Sequence, residues 1–194
     1  SIILLTPLTA AARSLYDLHR DLSFHCADLS IEPTLETRTD QGDTVTDTAP
    51  ASTTPAARLT GWDSIEFWVG NARAMAGFLS GSFGFTVTAY AGPETGVDDR
   101  ASYLLEQGNI RLVVTSGLTP ESPIGNHVRR HGDGARDLAF VVDDATATYE
   151  AAIARGARPI DEPYELRDDF GVLRLSSVAT YGETKHTFVD RRDY

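Results

Sequence analysis

A run of 12 residues, Gly61 to Ala72, GWDSIEFWVGNA, returns at an offset of 73 as Gly134 to Ala145, GARDLAFVVDDA. Gly61 falls on Gly134, Ser64 on Asp137, Ile65 on Leu138, Phe67 on Phe140, Val69 on Val142 and Ala72 on Ala145. Each copy alternates as a strand does and then opens into a helical pattern, so one βα-led unit is present twice. The repeat predicts a pseudo-symmetric fold with a cleft between its halves.

In the first unit, Trp62 to Val69 alternates Trp62, Ser64, Glu66 and Trp68 against Asp63, Ile65, Phe67 and Val69, a strand with one buried face. Asn71 is placed to cap a helix over Ala72 to Phe83, with Met75, Phe78, Leu79 and Phe83 on one face and the Gly81 and Gly84 pair ending it. Strands follow at Phe85 to Ala91, Ala101 to Glu106 and Ile110 to Thr115, the last two joined by a Gly108-Asn109 turn. Gly117 to Gly134 connects the units, with a helical turn at Asn126 to Arg130. The second unit repeats the order: a strand at Asp137 to Asp143, and a helix at Ala145 to Arg155 with Tyr149, Ala152 and Ile153 inward. Strand segments follow at Ala157 to Ile160, Glu165-Leu166, Val172 to Ala179 and Lys185 to Asp190. Two βαβββ units in tandem make an α+β fold.

Residues 1–58 read differently. Leu8, Ala11, Ala12, Leu15, Leu18 and Leu22 predict a short amphipathic helix within Pro7 to Leu29. Pro33 to Arg58 is rich in Thr, Asp, Ala and Pro, a composition that does not offset its ordering entropy. The expectation is a disordered or weakly helical N-terminal extension, a boundary near Arg58, and repeats at 59–117 and 132–194. The chain opens on Ser1 without an initiator Met, as a processed or partial sequence would.

With 17 Lys and Arg against 28 Asp and Glu, the net charge is −11, which opposes binding to nucleic acid or to an anionic membrane surface. No apolar run is long enough to span a bilayer, and the lone Cys26 cannot form an internal disulfide. A cytoplasmic location is expected.

HGDGARDLAFVVDD, the run EPYELRDDFG from Glu162 to Gly171 and ATYGETKHTFVDR from Ala179 to Arg191 then become specific. Together with GWDSIEFWVGNA and AYAGPETG, they resemble the amino-terminal half of the 4-hydroxyphenylpyruvate dioxygenase and 4-hydroxymandelate synthase family. The resemblance runs from Leu59 to Asp193. It implies a vicinal oxygen chelate module of the glyoxalase and bleomycin-resistance type. It also implies a parent reaction on a 2-oxo acid at Fe(II), held by two His and a carboxylate in the carboxy-terminal half. The chain stops where that half is expected to begin, so it is expected to be non-catalytic, with no cofactor of its own. Its expected partners are a carboxy-terminal catalytic module or a second subunit, and homo-oligomers. The alternative is a stand-alone small-molecule-binding protein of the same fold, with Trp62, Trp68, Phe67 and Tyr103 as cavity walls.

Metal-binding members of the fold take ligands from the first and last strands of each unit, positions that map here to Ser64, Val114, Asp137 and Thr187. A carboxylate, two hydroxyls and a valine make a poor iron site. His127 and His131 stand four apart on one helix face, a spacing used by some metal sites, but no third ligand is tied to them by sequence; they read as surface or packing residues. His186 is expected on the opposite face from Thr187 and structural, and His19 and His25 incidental. Asp143-Asp144 reads as a helix cap and Asp168-Asp169 as a turn. No nucleophile elbow or phosphate loop is present.

Overall fold

The computed structural model describes residues 58–194. The strands are β1 (Leu59–Trp68), β2 (Thr86–Ala91), β3 (Arg100–Gln107), β4 (Ile110–Gly117), β5 (Gly134–Val142), β6 (Pro159–Asp168), β7 (Gly171–Ala179) and β8 (Lys185–Asp193). The helices are α1 (Ala72–Phe83), α2 (Pro123–His131) and α3 (Ala145–Ala154), with a 3-10 turn at Pro93–Thr95. The reading of residues 1–57 as a helix and linker lies outside the described residues.

All eight strands join one mixed sheet in the order β2-β3-β4-β1-β5-β8-β7-β6. At its centre β1 runs antiparallel to β5, and each pairs in parallel with the last strand of its own unit, β4 or β8. The seam carries the symmetry: Ser64 opposes Ala139 and Glu66 opposes Asp137, so adding 73 turns each pair into the other (64 + 73 = 137; 66 + 73 = 139). The register slips next to Asp63 on β1 and next to Arg136 on β5, again 73 apart (136 − 63 = 73). An extra residue at these two points kinks each strand and increases its twist.

α1 begins at Asn71, whose side chain accepts from the Ala74 N–H, and ends on Gly84 in the left-handed region (φ 77°). The helix runs through Gly81, so Gly84 alone stops it. Its buried stripe is Ala72 and Ala76, with Met75 and Leu79 beside them. Two alanines let the helix axis approach the sheet closely. Phe78 lies two residues past Ala76, about 200° around the helix, and it and Phe83 stand exposed and packed on each other. They do not belong to the inward face that the spacing suggested. α3 is capped by Asp144, which accepts from the Ala147 N–H, and packs Tyr149, Ala152 and Ile153 against Val142, Val178 and Phe188.

α1 and α3 thus cover one face of the sheet, where Val69, Leu105 and Val114 are fully enclosed. Each such side chain contributes about 1.5–3 kcal/mol by leaving water. Ala89, Leu104 and Val113 in the first unit and Ala139, Leu173, Leu175 and Val189 in the second pack on the other face. Two differences from the sequence reading concern length. α2 is a full helix from Ser122, whose hydroxyl accepts from the Gly125 N–H, because Pro123 suits a first helical turn. β6 is one strand and not two segments: Pro163 is tolerated because β6 is the sheet edge, and register shifts on either side of Asp161 absorb the irregularity.

Candidate functional site

The face that α1 and α3 leave uncovered carries a row of polar side chains across the middle of the sheet. On β1 and β4, Glu66 accepts from the Thr115 hydroxyl at 2.7 Å, and Thr115 shares a 2.9 Å hydrogen bond with Ser102 of β3. On β5 and β8, Asp137 accepts from the Thr187 N–H at 3.1 Å and from its hydroxyl at 2.5 Å. The Lys185 ammonium lies 3.6 Å from Asp137 and 3.2 Å from Asp161 of β6. Asp161 in turn accepts from the Ser177 hydroxyl at 2.5 Å. Further along the seam, Asp63, pushed out at the first register slip, accepts from Arg191 at 2.5 Å and lies 3.5 Å from Arg111.

Burial is the largest influence on Asp137 and pushes its pKa up; Lys185 and Thr187 pull against it, while Glu66 across the seam adds to the rise. For Lys185, burial opposes the charge, but Asp137, Asp161 and Glu66 together outweigh it and raise the pKa, so the ammonium stays protonated. Tyr164 is also raised, first by burial and then by Asp161 and Asp137, and keeps its proton. The arrangement is a fixed ammonium held among carboxylates, able to orient a polar ligand but without a neutral base next to a nucleophile.

Of the positions that map to metal ligands, Asp137 and Thr187 meet. Val114 does not join them, because alternation along β4 turns it into the α1 core and leaves Thr115 on the polar face. Ser64 donates to its neighbour Asp63 at 3.3 Å. Both oxygens of Asp137 are committed to Thr187, and a cation already stands beside them, so these residues do not fit Fe(II). The aromatic residues read as cavity walls are dispersed. Phe67 and Tyr103 pack against the α1 core. Trp62 is exposed and stacks on Phe140 at 4.5 Å. Trp68 is buried between the Arg136 guanidinium, 4.8 Å from its ring, and the edge of His127 at 5.2 Å.

The histidines are also placed. His186 lies on the opposite side of β8 from Thr187, edge-on to Phe140, with its Nδ1 at 3.2 Å from the Leu138 carbonyl. His127 and His131 do share a face of α2, and their rings lie 4.8 Å apart. Between them stands Glu183 from the β7–β8 turn, with Oε2 at 3.0 Å from His127 Nδ1 and 3.6 Å from His131 Nε2. Arg130 donates to its Oε1 at 2.7 Å. Burial opposes the Glu183 charge, but His127, Arg130 and His131 together hold its pKa below the usual carboxylate range. Sequence reasoning had the two histidines and lacked Glu183, 56 positions from His127. It also lacked Glu66, Asp161 and Lys185; Glu66 and Lys185 fall on predicted strands, and Asp161 lies one residue past the end of another.

Residues 54–194 match the family model described as hydroxyphenylpyruvate dioxygenase, HPPD, N-terminal. The chain belongs to this family. Relatives of this chain include 4-hydroxyphenylpyruvate dioxygenase of Dictyostelium discoideum, 41% identical over 138 residues, which cover 70% of this chain and 38% of the relative. The Danio rerio enzyme of the same name is 42% identical over 127 residues, 65% of this chain and 32% of its own length. Among solved structures, a triple mutant of 4-hydroxymandelate synthase from Streptomyces coelicolor superposes with a TM-score of 0.65 at 35% identity, covering 69% of this chain and 39% of that one. Methylmalonyl-CoA epimerase from Mycobacterium tuberculosis shares the fold, with a TM-score of 0.53 at 17% identity over 68% of this chain and 88% of its own. The HPPD amino-terminal family and the vicinal oxygen chelate fold therefore agree with the resemblance read from the five sequence runs. The chain spans less than two fifths of the length of these dioxygenases.

Proposed function

We propose that this chain is the non-catalytic amino-terminal module of a 4-hydroxyphenylpyruvate dioxygenase-like Fe(II) oxygenase. The observation that carries the reading is Lys185, buried between Asp137 and Asp161 on the face where metal-binding members of the fold hold their ion. A permanent ammonium there replaces the divalent charge, and its three carboxylate neighbours gain a counter-ion that cannot exchange. Fe(II) chemistry on the 2-oxo acid then belongs to a carboxy-terminal module, giving homogentisate or 4-hydroxymandelate. The role of this module is mechanical: it presents a stiff eight-stranded sheet to that module or to a second subunit. The exposed Phe78 and Phe83 pair on α1 and the exposed Trp62 are apolar surface suited to such contacts. The dispersal of Trp62, Trp68, Phe67 and Tyr103 gives no support to a drug-binding cup.

The experiment is oxygen uptake by the purified chain with 4-hydroxyphenylpyruvate, Fe(II) and a reductant. No uptake above the protein-free rate is expected. Keto-acid-dependent uptake with formation of homogentisate or 4-hydroxymandelate would place catalysis in this chain and overturn the proposal.

A further inference from the structure

We propose that His127 Nδ1, His131 Nε2 and Glu183 Oε2 form a binding site for a borderline divalent transition-metal ion of the zinc class. The three donor atoms lie within 4.8 Å of one another, the carboxylate oxygen being 3.0 Å from one ring nitrogen and 3.6 Å from the other. An ion that binds nitrogen and oxygen at about 2.0–2.1 Å in a tetrahedral shell sets neighbouring donors about 3.3 Å apart, and the two separations bracket that value. Two imidazoles and one carboxylate are the donor set such ions prefer over calcium or magnesium.

A plain hydrogen-bonded clip explains only part of this cluster. One imidazole and Arg130 suffice to satisfy Glu183, yet a second ring, His131, is also turned toward the same oxygen at a distance too long for a hydrogen bond. A shared ion accounts for that spacing. The surroundings act as a supporting shell. Arg130 takes Oε1 at 2.7 Å and so turns Oε2 toward the rings. Trp68 packs its ring edge-on to His127, which is only 6% exposed. His131 is the last residue of α2, where the helix carbonyls favour a cation. The side chains of His131 and Glu183 are 47% and 38% exposed, which leaves an entry path and an outward coordination position for water or a ligand atom. The site does not use Asp137, Thr187 or Lys185, and it stands whatever the role of the module.

The test is calorimetric titration of the chelator-treated chain with Zn²⁺, together with Co²⁺ titration read by visible absorption. One equivalent of Zn²⁺ should bind at roughly micromolar affinity or tighter, raise the melting temperature, and give the Co²⁺ spectrum of a low-coordinate nitrogen and oxygen site. His131→Ala and Glu183→Gln should each weaken binding on the order of a hundredfold. His131 is a half-exposed side chain, so the melting temperature of His131→Ala without metal should match that of the parent, and loss of binding then reads the ligand and not the fold. No binding by the parent chain, or equal binding by His131→Ala, would overturn the assignment.

Discussion

Replacing Lys185 by Met removes the only ammonium from a cluster of acids while keeping the length and most of the volume of the side chain. The Nζ lies 3.2 Å from Asp161 and 3.6 Å from Asp137, and the side chains of Lys185 and Asp137 are each 13% exposed. At an effective dielectric constant of about 20, each contact is worth about 5 kcal/mol of Coulomb attraction. Desolvation offsets most of that gain in the parent chain. The variant loses the attraction but still buries the carboxylates, so the net loss should be about 3–5 kcal/mol, or roughly 10–15 °C in melting temperature for a folded unit of this size. The penalty should depend on pH. Asp137 has a raised pKa in the fold, so between the ordinary carboxylate pKa and the folded value the native state holds a proton that the unfolded chain has released. That contribution is present below the ordinary carboxylate pKa and is lost as pH rises through the folded value. Removing Lys185 takes away the charge that pulls Asp137 down and moves its pKa higher still. The destabilisation should therefore be largest near neutral pH and smaller at about pH 5. Urea unfolding at both pH values, followed by circular dichroism and tryptophan fluorescence, measures it. A loss under about 1 kcal/mol at neutral pH, or a loss that does not change with pH, would refute the view of Lys185 as a buried counter-ion.

Asp63→Asn keeps the shape of the side chain but removes the charge that meets Arg191 at 2.5 Å and Arg111 at 3.5 Å; denaturant unfolding should show a loss of about 2–4 kcal/mol. Gly171→Ala would place a Cβ 1.9 Å from the Asp193 carbonyl oxygen at φ 149°, so the β6–β7 turn must shift, and thermal unfolding should show a loss of more than about 2 kcal/mol. Asn71→Ala removes the side-chain acceptor at the start of α1 and should cost about 1 kcal/mol, recovered in large part by Asn71→Asp or Asn71→Ser.

The offset of 73 made the two-unit order legible, and the caps at Asn71 and Asp144 were readable because a polar residue directly before an apolar helical run has few other uses. Lengths were less legible. Pro163 suggests a break in β6, and only the position of that strand at the sheet edge removes the conflict. Faces were less legible too: helical spacing put Phe78 and Phe83 inward on α1, where the structure leaves both exposed. The candidate sites were the least legible part. Lys185, Asp161 and Asp137 come from three strands, and Glu183 reaches His127 from a turn 56 residues away. Such convergence is a property of strand order, which local patterns do not carry.

The paired bulges have one more consequence. Asp63 and Arg136 occupy equivalent places on the two central strands, yet one is an acid and the other a base. If two copies of a single unit met along this seam, both kinks would carry the same residue. Fusion of the units into one polypeptide removes that constraint, since each side then evolves against a partner that differs from itself. The seam has become a lock with two distinct halves, and fragments 59–117 and 132–194 produced separately should select each other over their own kind.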